Sequence, residues 1–292
     1  MQNYFLINED FNKIIKSTLR TKTSSNVINK LSPISTGWTN IVYKVETDNG
    51  NYYFRFPRDI FWEKTIVKDF QFAQYIKGKT SFTTVDLQLD YDNNRPFSFH
   101  KEIPGTPLAE KMNNLTTTEI LKISKQIAQF MFELHNINFE NDNIFTIDNI
   151  GLNLNDFITE LLDEHVSNVD KVFWKSNNFT MSPNDYCLVH GDLNSSNIIL
   201  DDNNNISAII DFGFGGYGNK YFDISRIIGR CPDSFKNNIV KSYEDLQNSK
   251  ININKLDKNI NIWSNIDQSY INYMRTIGIY EWAKKKTLLI FP

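Results

Sequence analysis

Cysteine is scarce in this chain of 292 residues, which contains only Cys187 and Cys231. Two cysteines cannot form a disulfide framework, and they are too few to supply the closely spaced ligands of a cysteine-based zinc site. The sequence therefore excludes the small disulfide-rich proteins and the zinc-finger class. We expect both thiols to be reduced and buried.

Long apolar runs and an excess of basic charge are also missing. No stretch reaches the roughly 18 apolar residues of a transmembrane helix, and residues 1–10 have no basic group ahead of their short apolar run. We therefore expect a cytoplasmic protein that does not bind a membrane. The formal net charge is -3, whereas nucleic-acid binding usually needs a strongly basic face, so DNA and RNA are not expected as partners.

The composition is that of a globular protein, with 40% hydrophobic and 22% charged residues. A chain of this size can bury one large core or two modest ones, and we expect a monomer. The front part has the pattern of a helix followed by an antiparallel sheet. Residues 10–21 have helical spacing, and residues 31–45 and 52–56 are rich in β-branched and aromatic residues. Helical spacing returns over residues 66–78.

A cluster of turn residues at 104–107 follows an alternating stretch at 96–103, and this arrangement suits a connection between two lobes. Beyond it the pattern becomes mostly helical, over residues 116–135, 155–165 and 223–290. Short apolar runs between these helices predict buried strands at 186–189, 198–200 and 208–210. The order of elements predicts an α+β fold with a β-rich front and a helical back.

Two motifs in the second half of the chain indicate catalysis. Residues 190–197 read His-Gly-Asp-Leu-Asn-Ser-Ser-Asn, in which Asp192 and Asn197 have the spacing of a kinase catalytic loop. Asp-Phe-Gly follows at residues 211–213. Either motif alone is compatible with an ordinary turn. A predicted strand precedes each of them, however, and this is the context in which such residues are presented from strand ends.

The residue types in these motifs suit phosphoryl transfer. The reaction needs a carboxylate that orients the acceptor hydroxyl and accepts its proton, and oxygen ligands for magnesium that bridges the phosphates of ATP or GTP. We predict Asp192 as the catalytic base and Asn197 and Asp211 as the magnesium ligands.

A loop at residues 35–40 divides the first strand-like stretch into two predicted strands and is a candidate phosphate-binding segment. Its glycine allows backbone amides to approach phosphates, and neighbouring polar side chains add donors, although a lone glycine in a hairpin can also be only a turn. The predicted nucleotide-binding residues of this loop are Ser35, Thr36, Gly37 and Asn40.

Arg55 alternates with aromatic residues in the third predicted strand and stands where a kinase has its phosphate-binding lysine. We predict that it contacts phosphate, with an exposed strand arginine as the alternative. Its partner carboxylate should lie on the next helix, where Asp69 is the first candidate by register and Glu63 the second.

Three further polar residues are interpreted as structural. His100 in the connector and His135 at the end of a predicted helix are assigned to packing or capping, and no metal site built on histidine is proposed. Asp223 is predicted to bind the backbone of the catalytic loop from the start of a helix.

With these motifs in place, the whole chain resembles the aminoglycoside phosphotransferase and choline-kinase-like group of small-molecule kinases. The matching segments are 35–40, 54–57, 103–108, 190–197 and 210–213. The spacing of 54–57 and 103–108 looks most like the aminoglycoside 2''-phosphotransferases.

The resemblance implies a protein-kinase-like fold of two lobes. Residues 1–100 would form a nucleotide-binding N-lobe with a five-stranded antiparallel sheet and one helix, residues 101–108 a hinge, and residues 109–292 a mostly helical C-lobe with the catalytic loop and the acceptor site. By the same resemblance the nucleobase would bind the hinge region at His100, Lys101, Glu102 and Ile103.

The acceptor implied by the resemblance is a hydroxyl of a small molecule. His-Gly-Asp replaces the His-Arg-Asp of protein kinases, and no Ala-Pro-Glu segment follows Asp211. An aminoglycoside-type antibiotic is the first candidate, with Asp233 and Glu281 as candidate contacts. A housekeeping kinase of choline, a sugar or an amino alcohol is the alternative, and an inactive kinase-fold binding module is the second.

Two departures from the pattern concern specificity. Arg55 replaces the commoner lysine, and its planar guanidinium can still bind phosphate oxygens in pairs. Phe214 stands at a position where several aminoglycoside kinases have an acidic residue. These departures leave the acceptor open.

Overall fold

The computed structural model describes residues 11–276 apart from 26, 35–38, 59 and 139–184. Within these residues the helices are α1 (Phe11–Lys22), α2 (Ile60–Ile76), α3 (Leu108–Lys111), α4 (Thr117–His135), α5 (Lys220–Ile228), α6 (Asp233–Gln247) and α7 (Ile253–Thr276). The strands are β1 (Ile28–Ile34), β2 (Asn40–Thr47), β3 (Gly50–Pro57), β4 (Gln88–Asp92), β5 (Arg95–Lys101), β6 (Thr106–Pro107), β7 (Tyr186–Val189), β8 (Ile198–Leu200), β9 (Ile206–Ile209) and β10 (Gly216–Asn219). The helix predicted at 155–165 and the site candidates Ser35, Thr36, Gly37 and Glu281 lie outside the described residues.

The front part folds as predicted into an antiparallel sheet of five strands in the order β1-β2-β3-β5-β4. Side chains alternate across β3. Phe54 and Phe56 are buried against α1 together with Phe99 of β5, and the rings of Phe54 and Phe99 stack at 5.2 Å. Burying each such ring contributes roughly 1.5–3 kcal/mol. Arg55 points from the opposite face, towards α2 and the second half of the chain.

Two tight hairpins set the register of this sheet. β2 and β3 pair up to Thr47 and Gly50, which leaves Asp48 and Asn49 as the turn between them. Strand β4 was not predicted. It is joined to β5 by Asn93 and Asn94, whose φ angles of 47° and 67° match a two-residue turn that needs positive φ at both central positions.

The described part of the second half is mostly helical, as the sequence predicts. α4 begins with a reciprocal capping box between Thr116 and Glu119, and its apolar stripe packs mainly on α6. Phe72 and Ile76, from the last turns of α2, are buried in this same core. Helix α2 therefore joins the core of the second half to the sheet of the first.

Short strands present both predicted motifs. β7 ends at Val189, immediately before the catalytic-loop motif, and β9 ends at Ile209, two residues before Asp211. Thr106 and Pro107, inside the predicted hinge, form β6 and pair with β8. No helix among those described is long and apolar enough to cross a membrane.

The cysteines differ in part from the prediction. Cys187 and Cys231 are both free thiols, but each is partly rather than fully buried. Cys187 lies opposite Gly218 in the two-stranded β7–β10 sheet, and glycine has no side chain that would cover the sulfur.

Candidate active site

The backbone of the catalytic loop is held by a buried carboxylate. Asp223 on α5 has no exposed surface, and it accepts hydrogen bonds from the backbone N–H groups of His190 at 2.8 Å and Gly191 at 2.9 Å. This is the structural role predicted for Asp223. The motif is thus fixed at its start by a residue some thirty positions later in the chain.

His135 supports the same carboxylate from α4. Its Nε2 lies 3.2 Å from Oδ2 of Asp223, and its Nδ1 lies 2.7 Å from the Tyr243 hydroxyl. Because a carboxylate only accepts, Nε2 carries the proton. Burial raises the pKa of Tyr243, so its hydroxyl keeps a proton that it can donate. His135 is therefore part of a buried chain behind the loop, in agreement with a structural assignment.

The His-Gly-Asp sequence has a steric reason. His190 is fully buried, its Nε2–H donates to the Ile210 carbonyl at 3.0 Å, and its Nδ1 accepts from the Asp192 backbone at 3.3 Å. Gly191 has a φ of 79°, and a Cβ there would overlap the carbonyl group of Phe214. Any side chain at position 191 would push the catalytic loop away from the segment that follows Asp-Phe-Gly.

Asp192 and Asn197 are directly connected. The side-chain amides of Asn194 and Asn197 each donate to the Asp192 carbonyl at 3.0 Å, which fixes the backbone of the proposed base. The Asp192 carboxylate remains 21% exposed, and its Oδ1 accepts from Nε of Arg226 at 2.6 Å. Its other oxygen remains available for an acceptor.

Arg55 joins the sheet, helix α2 and the Asp-Phe-Gly segment. One guanidinium nitrogen binds Asp69 and another lies 2.7 Å from Oδ1 of Asp211. Asp69 is thus the carboxylate partner, as the first of the two candidates predicts. The other Asp69 oxygen accepts from the Phe212 backbone at 2.7 Å, and the Phe212 ring is buried between Phe72 and His190.

Burial and neighbouring charges shift the pKa values of Arg55 and Asp69 in opposite directions. Burial disfavours the charge on Arg55, but Asp211 and Asp69 outweigh it and raise the pKa of the guanidinium. Burial raises the pKa of the Asp69 carboxyl, although the Arg55 charge acts against that change. Arg55 therefore stays charged.

Asp211 is held in a conformation that is uncommon for a residue with a side chain. Its φ is 70°, in the left-handed region that aspartate tolerates better than most residues. Its side chain is 40% exposed, whereas that of Arg55 is only 13% exposed. The Asp211 carboxylate is therefore partly exposed to solvent, while the backbone of the next residue, Phe212, is held by Asp69.

The side-chain oxygens of Asn197 and Asp211 suit magnesium that is also bound by phosphates and water, and they are too few for a metal ion bound by protein ligands alone. The amide nitrogen of Asn197 is used by the Asp192 carbonyl, so its amide oxygen is the atom left for a cation, and Asp211 offers an exposed carboxylate. The described residues contain no cluster of three histidine, cysteine, aspartate or glutamate side chains that could hold a metal. Magnesium is commonly bound by one or two protein oxygens together with phosphates and water.

The predicted nucleobase region is ordered by side chains. Glu102 accepts from Lys44 at 2.6 Å, from Asn51 at 2.5 Å and from Tyr53 at 3.1 Å. Burial opposes the charge on Glu102, but these three donors outweigh it and lower the pKa of the carboxyl. The His100 ring stacks on Tyr53 at 5.5 Å, and burial lowers the pKa of His100 to about 4.

The remaining predicted residues have less defined surroundings. Lys101 is exposed at the end of β5, Ile103 is half-buried, and the buried Asn40 side chain donates to Thr39 at 3.0 Å. Asp233 is exposed at the first residue of α6, where a carboxylate also stabilises the helix dipole.

Arg226 was missed by the sequence analysis. It lies one helical turn after Asp223 and is 5% exposed. The signal was present, because an arginine in an apolar helical stretch is buried only when it is paired, and residues three apart lie on the same face of a helix. The carboxylate that it pairs with lies 34 positions earlier, and no local pattern identifies such a partner.

Comparisons with known proteins bear on the family and the fold of the chain. The sequence model of the phosphotransferase enzyme family matches residues 30–248, more than half of the chain. Among solved structures, the complex of APH(2'')-IIIa with GDP and kanamycin has a TM-score of 0.69 at 17% identity, with 96% of each chain covered. Macrolide 2'-phosphotransferase type I has a TM-score of 0.66 at 10% identity, again with 96% of each chain covered.

A third similar structure, ADP-bound aminoglycoside phosphotransferase APH(2'')-Ib, has a TM-score of 0.59 at 18% identity and covers 97% of this chain and 100% of its own. At such identities the likeness shows a shared fold. It confirms the predicted α+β architecture of two kinase-like lobes. The predicted lobe boundaries and the roles of individual site residues stay predictions.

Proposed function

Since the chain belongs to the phosphotransferase enzyme family, we propose that it transfers the γ-phosphoryl group of ATP or GTP to a hydroxyl of a small molecule. The reaction depends on magnesium and is carried out by a monomeric cytoplasmic enzyme. The first candidate for the acceptor is an aminoglycoside-type antibiotic. Similar structures hold GDP with kanamycin and ADP, which supports a nucleotide as the co-substrate.

One observation carries the proposal. Arg55 bridges the buried Asp69 and the exposed Asp211, while the backbone of Asp192 is fixed by Asn197. The proposed phosphate-binding cation, metal-binding carboxylate and base therefore lie on elements that ion pairs and hydrogen bonds hold in place. If Asp-Phe-Gly at residues 211–213 were only an ordinary turn, it would not need the buried Asp69 of α2 as a partner.

Each residue then has one task. Asp192 orients the acceptor hydroxyl, whose oxygen attacks the γ-phosphorus while the bond to the leaving nucleoside diphosphate breaks, and the hydroxyl proton passes to the carboxylate. Arg55 binds phosphate oxygens through its planar guanidinium. Magnesium held by Asn197 and Asp211 would neutralise negative charge on the phosphates.

The nucleobase is assigned to the hinge. We propose that backbone groups between His100 and Ile103 bind it, and that the Glu102 carboxylate keeps this segment against the sheet through Lys44 and Tyr53. The loop residues Ser35, Thr36, Gly37 and Asn40 are proposed to contact the phosphates. Asp233 and Glu281 are proposed contacts of a cationic acceptor.

A kinase of choline, a sugar or an amino alcohol is the second candidate. Phe214 favours it, because its ring packs towards Trp62 at 6.3 Å and offers no charge to an amino group. A neutral acceptor such as a sugar needs no acidic partner at this position.

The test is a turnover assay of the purified protein with magnesium and either ATP or GTP. Kanamycin, gentamicin, a macrolide, choline and simple sugars serve as acceptors, and the Asp192→Asn variant serves as the matched control. Nucleoside diphosphate released only with an acceptor, and only by the wild type, supports the proposal. Nucleotide binding without turnover on any acceptor would favour the binding-module alternative.

A further inference from the structure

Arg226 connects the proposed base to two other parts of the fold. Its Nε donates to Oδ1 of Asp192 at 2.6 Å, and its Nη1 donates to Oδ2 of Asp267 on α7 at 2.8 Å. The guanidinium lies 4.2 Å from the ring centroid of Trp263. The side chain is 6% exposed, so this is a built and desolvated position.

We infer that Arg226 is a positioning residue for phosphoryl transfer, which holds one carboxylate oxygen of Asp192 so that the other faces the acceptor hydroxyl. The inference rests on the proposed function. It adds a residue that lies outside both motifs and whose side chain, among the described residues, contacts Asp192, Asp267 and Trp263.

The helix that carries Arg226 already fixes the loop. Asp223 binds the loop backbone, and Arg226, three residues later, binds the side chain of the base. One turn of α5 therefore determines both where Asp192 lies and how its carboxylate is rotated. A displacement of about 1 Å in such a group can lower a rate by roughly a hundredfold.

The charge of Arg226 is secured by its surroundings. Burial disfavours the charge, but Asp192 and Asp267 outweigh it and raise the pKa of the guanidinium. A planar guanidinium can bind two carboxylates in fixed directions, whereas a lysine ammonium cannot reproduce this geometry. Replacement by lysine should therefore preserve the charge and lose the orientation.

A purely structural role is the alternative, because Asp267 also ties α7 to the end of α5. Arg230 provides the matched control. It also binds Oδ2 of Asp267, so Arg226→Gln and Arg230→Gln both weaken this attachment. Of these two arginines, Arg226 donates a hydrogen bond to the Asp192 carboxylate, so its replacement should impair the chemical step far more than replacement of Arg230.

The experiment measures kcat, nucleotide KM and thermal unfolding for Arg226→Gln, Arg226→Lys and Arg230→Gln, with the acceptor that the wild type turns over best. We expect Arg226→Gln to lower kcat roughly 30- to 100-fold and Arg226→Lys at least about tenfold, with nucleotide KM changed less than about threefold. For Arg230→Gln we expect kcat within about threefold of wild type and a lower Tm. Equal kcat losses at both positions would overturn the inference.

A double-variant cycle with Asp192→Asn tests whether Arg226 acts through the base. Arg226→Gln should lower the residual kcat of Asp192→Asn by less than about threefold, and a loss as large as in the wild type would contradict the inference. A wild type that turns over no acceptor contradicts the proposed function instead. In that case the cycle is measured by thermal unfolding. If the Tm shifts of Arg226→Gln and Asp192→Asn add up in the double variant, the pairing of Arg226 with Asp192 is overturned. A departure from additivity of about 2 °C or more supports it.

Discussion

Removing the charge of Asp69 tests the buried connection between α2, Arg55 and the Asp-Phe-Gly segment. Asp69→Asn keeps an oxygen that can accept from the Phe212 N–H, now at 2.7 Å, and removes only the negative charge beside Arg55. Breaking a buried ion pair costs about 3–5 kcal/mol. Because Arg55 retains Asp211 as a partner, we expect a smaller loss of stability, of about 2–3 kcal/mol.

Asp69→Ala should cost more. It also leaves the buried Phe212 N–H without a partner, which adds about 1–3 kcal/mol. In thermal unfolding, Asp69→Asn should lower the Tm by roughly 5–10 °C, since 1 kcal/mol corresponds to about 2–4 °C for domains near this size. Arg55 would then be drawn fully to Asp211, so magnesium-nucleotide affinity should fall about tenfold.

An exposed ion pair provides the control for this prediction. The Lys77–Asp86 pair has side chains that are 55% and 72% exposed, so Asp86→Asn should change stability by less than about 0.5 kcal/mol. Scanning calorimetry and nucleotide titration measure both effects. Equal Tm values for Asp69→Asn and Asp86→Asn would refute the reasoning.

Three further predictions concern single positions. Gly191→Ala should abolish turnover, because its Cβ would overlap the Phe214 carbonyl. Gly78 has a similar φ of 75° but no atom within 4 Å of the position that an added Cβ would take, so Gly78→Ala is the control. It should lose only about 1 kcal/mol of stability in denaturant unfolding. In the folded state the pKa of His100 is lowered to about 4, so its ring stays neutral down to about that pH. Between about pH 6.5 and 4 the unfolded state therefore binds more protons than the folded state. Stability should therefore fall as the pH falls through this window, and a pH series of Tm values should show less of this loss for His100→Gln. Thr116→Ala removes the α4 cap and should cost about 1 kcal/mol in the same denaturant assay without a change in nucleotide KM.

The strands and loops that carry the two motifs could be predicted because their signals are local. Asp192 and Asn197 belong to one short segment, and strands precede both motifs as the apolar runs indicate. The Arg55–Asp69 pairing was also within reach, since a strand and the following helix are close in sequence. Such contacts need only short-range periodicity and register.

The unpredicted parts depend on distant contacts or weak local signals. Arg226 meets Asp192 only after α5 packs behind the catalytic loop. Strand β4 is a five-residue edge strand whose pairing depends on the turn at Asn93 and Asn94. The Glu102 carboxylate was assigned to the hinge by resemblance, and its three donors come from β2 and β3. Tertiary packing determines the Arg226 and Glu102 contacts, and the local signal of strand β4 is too short to identify it in a single sequence.

The central claim is that Asp192 performs a chemical role and Asp211 a binding role in one phosphoryl-transfer site. The most direct measurement compares magnesium-nucleotide affinity and acceptor turnover for Asp192→Asn and Asp211→Asn. We expect Asp192→Asn to bind nucleotide within about threefold of the wild type and to lose transfer by at least roughly a hundredfold. Asp211→Asn should lose nucleotide affinity itself. Transfer at the wild-type rate by Asp192→Asn would contradict the account.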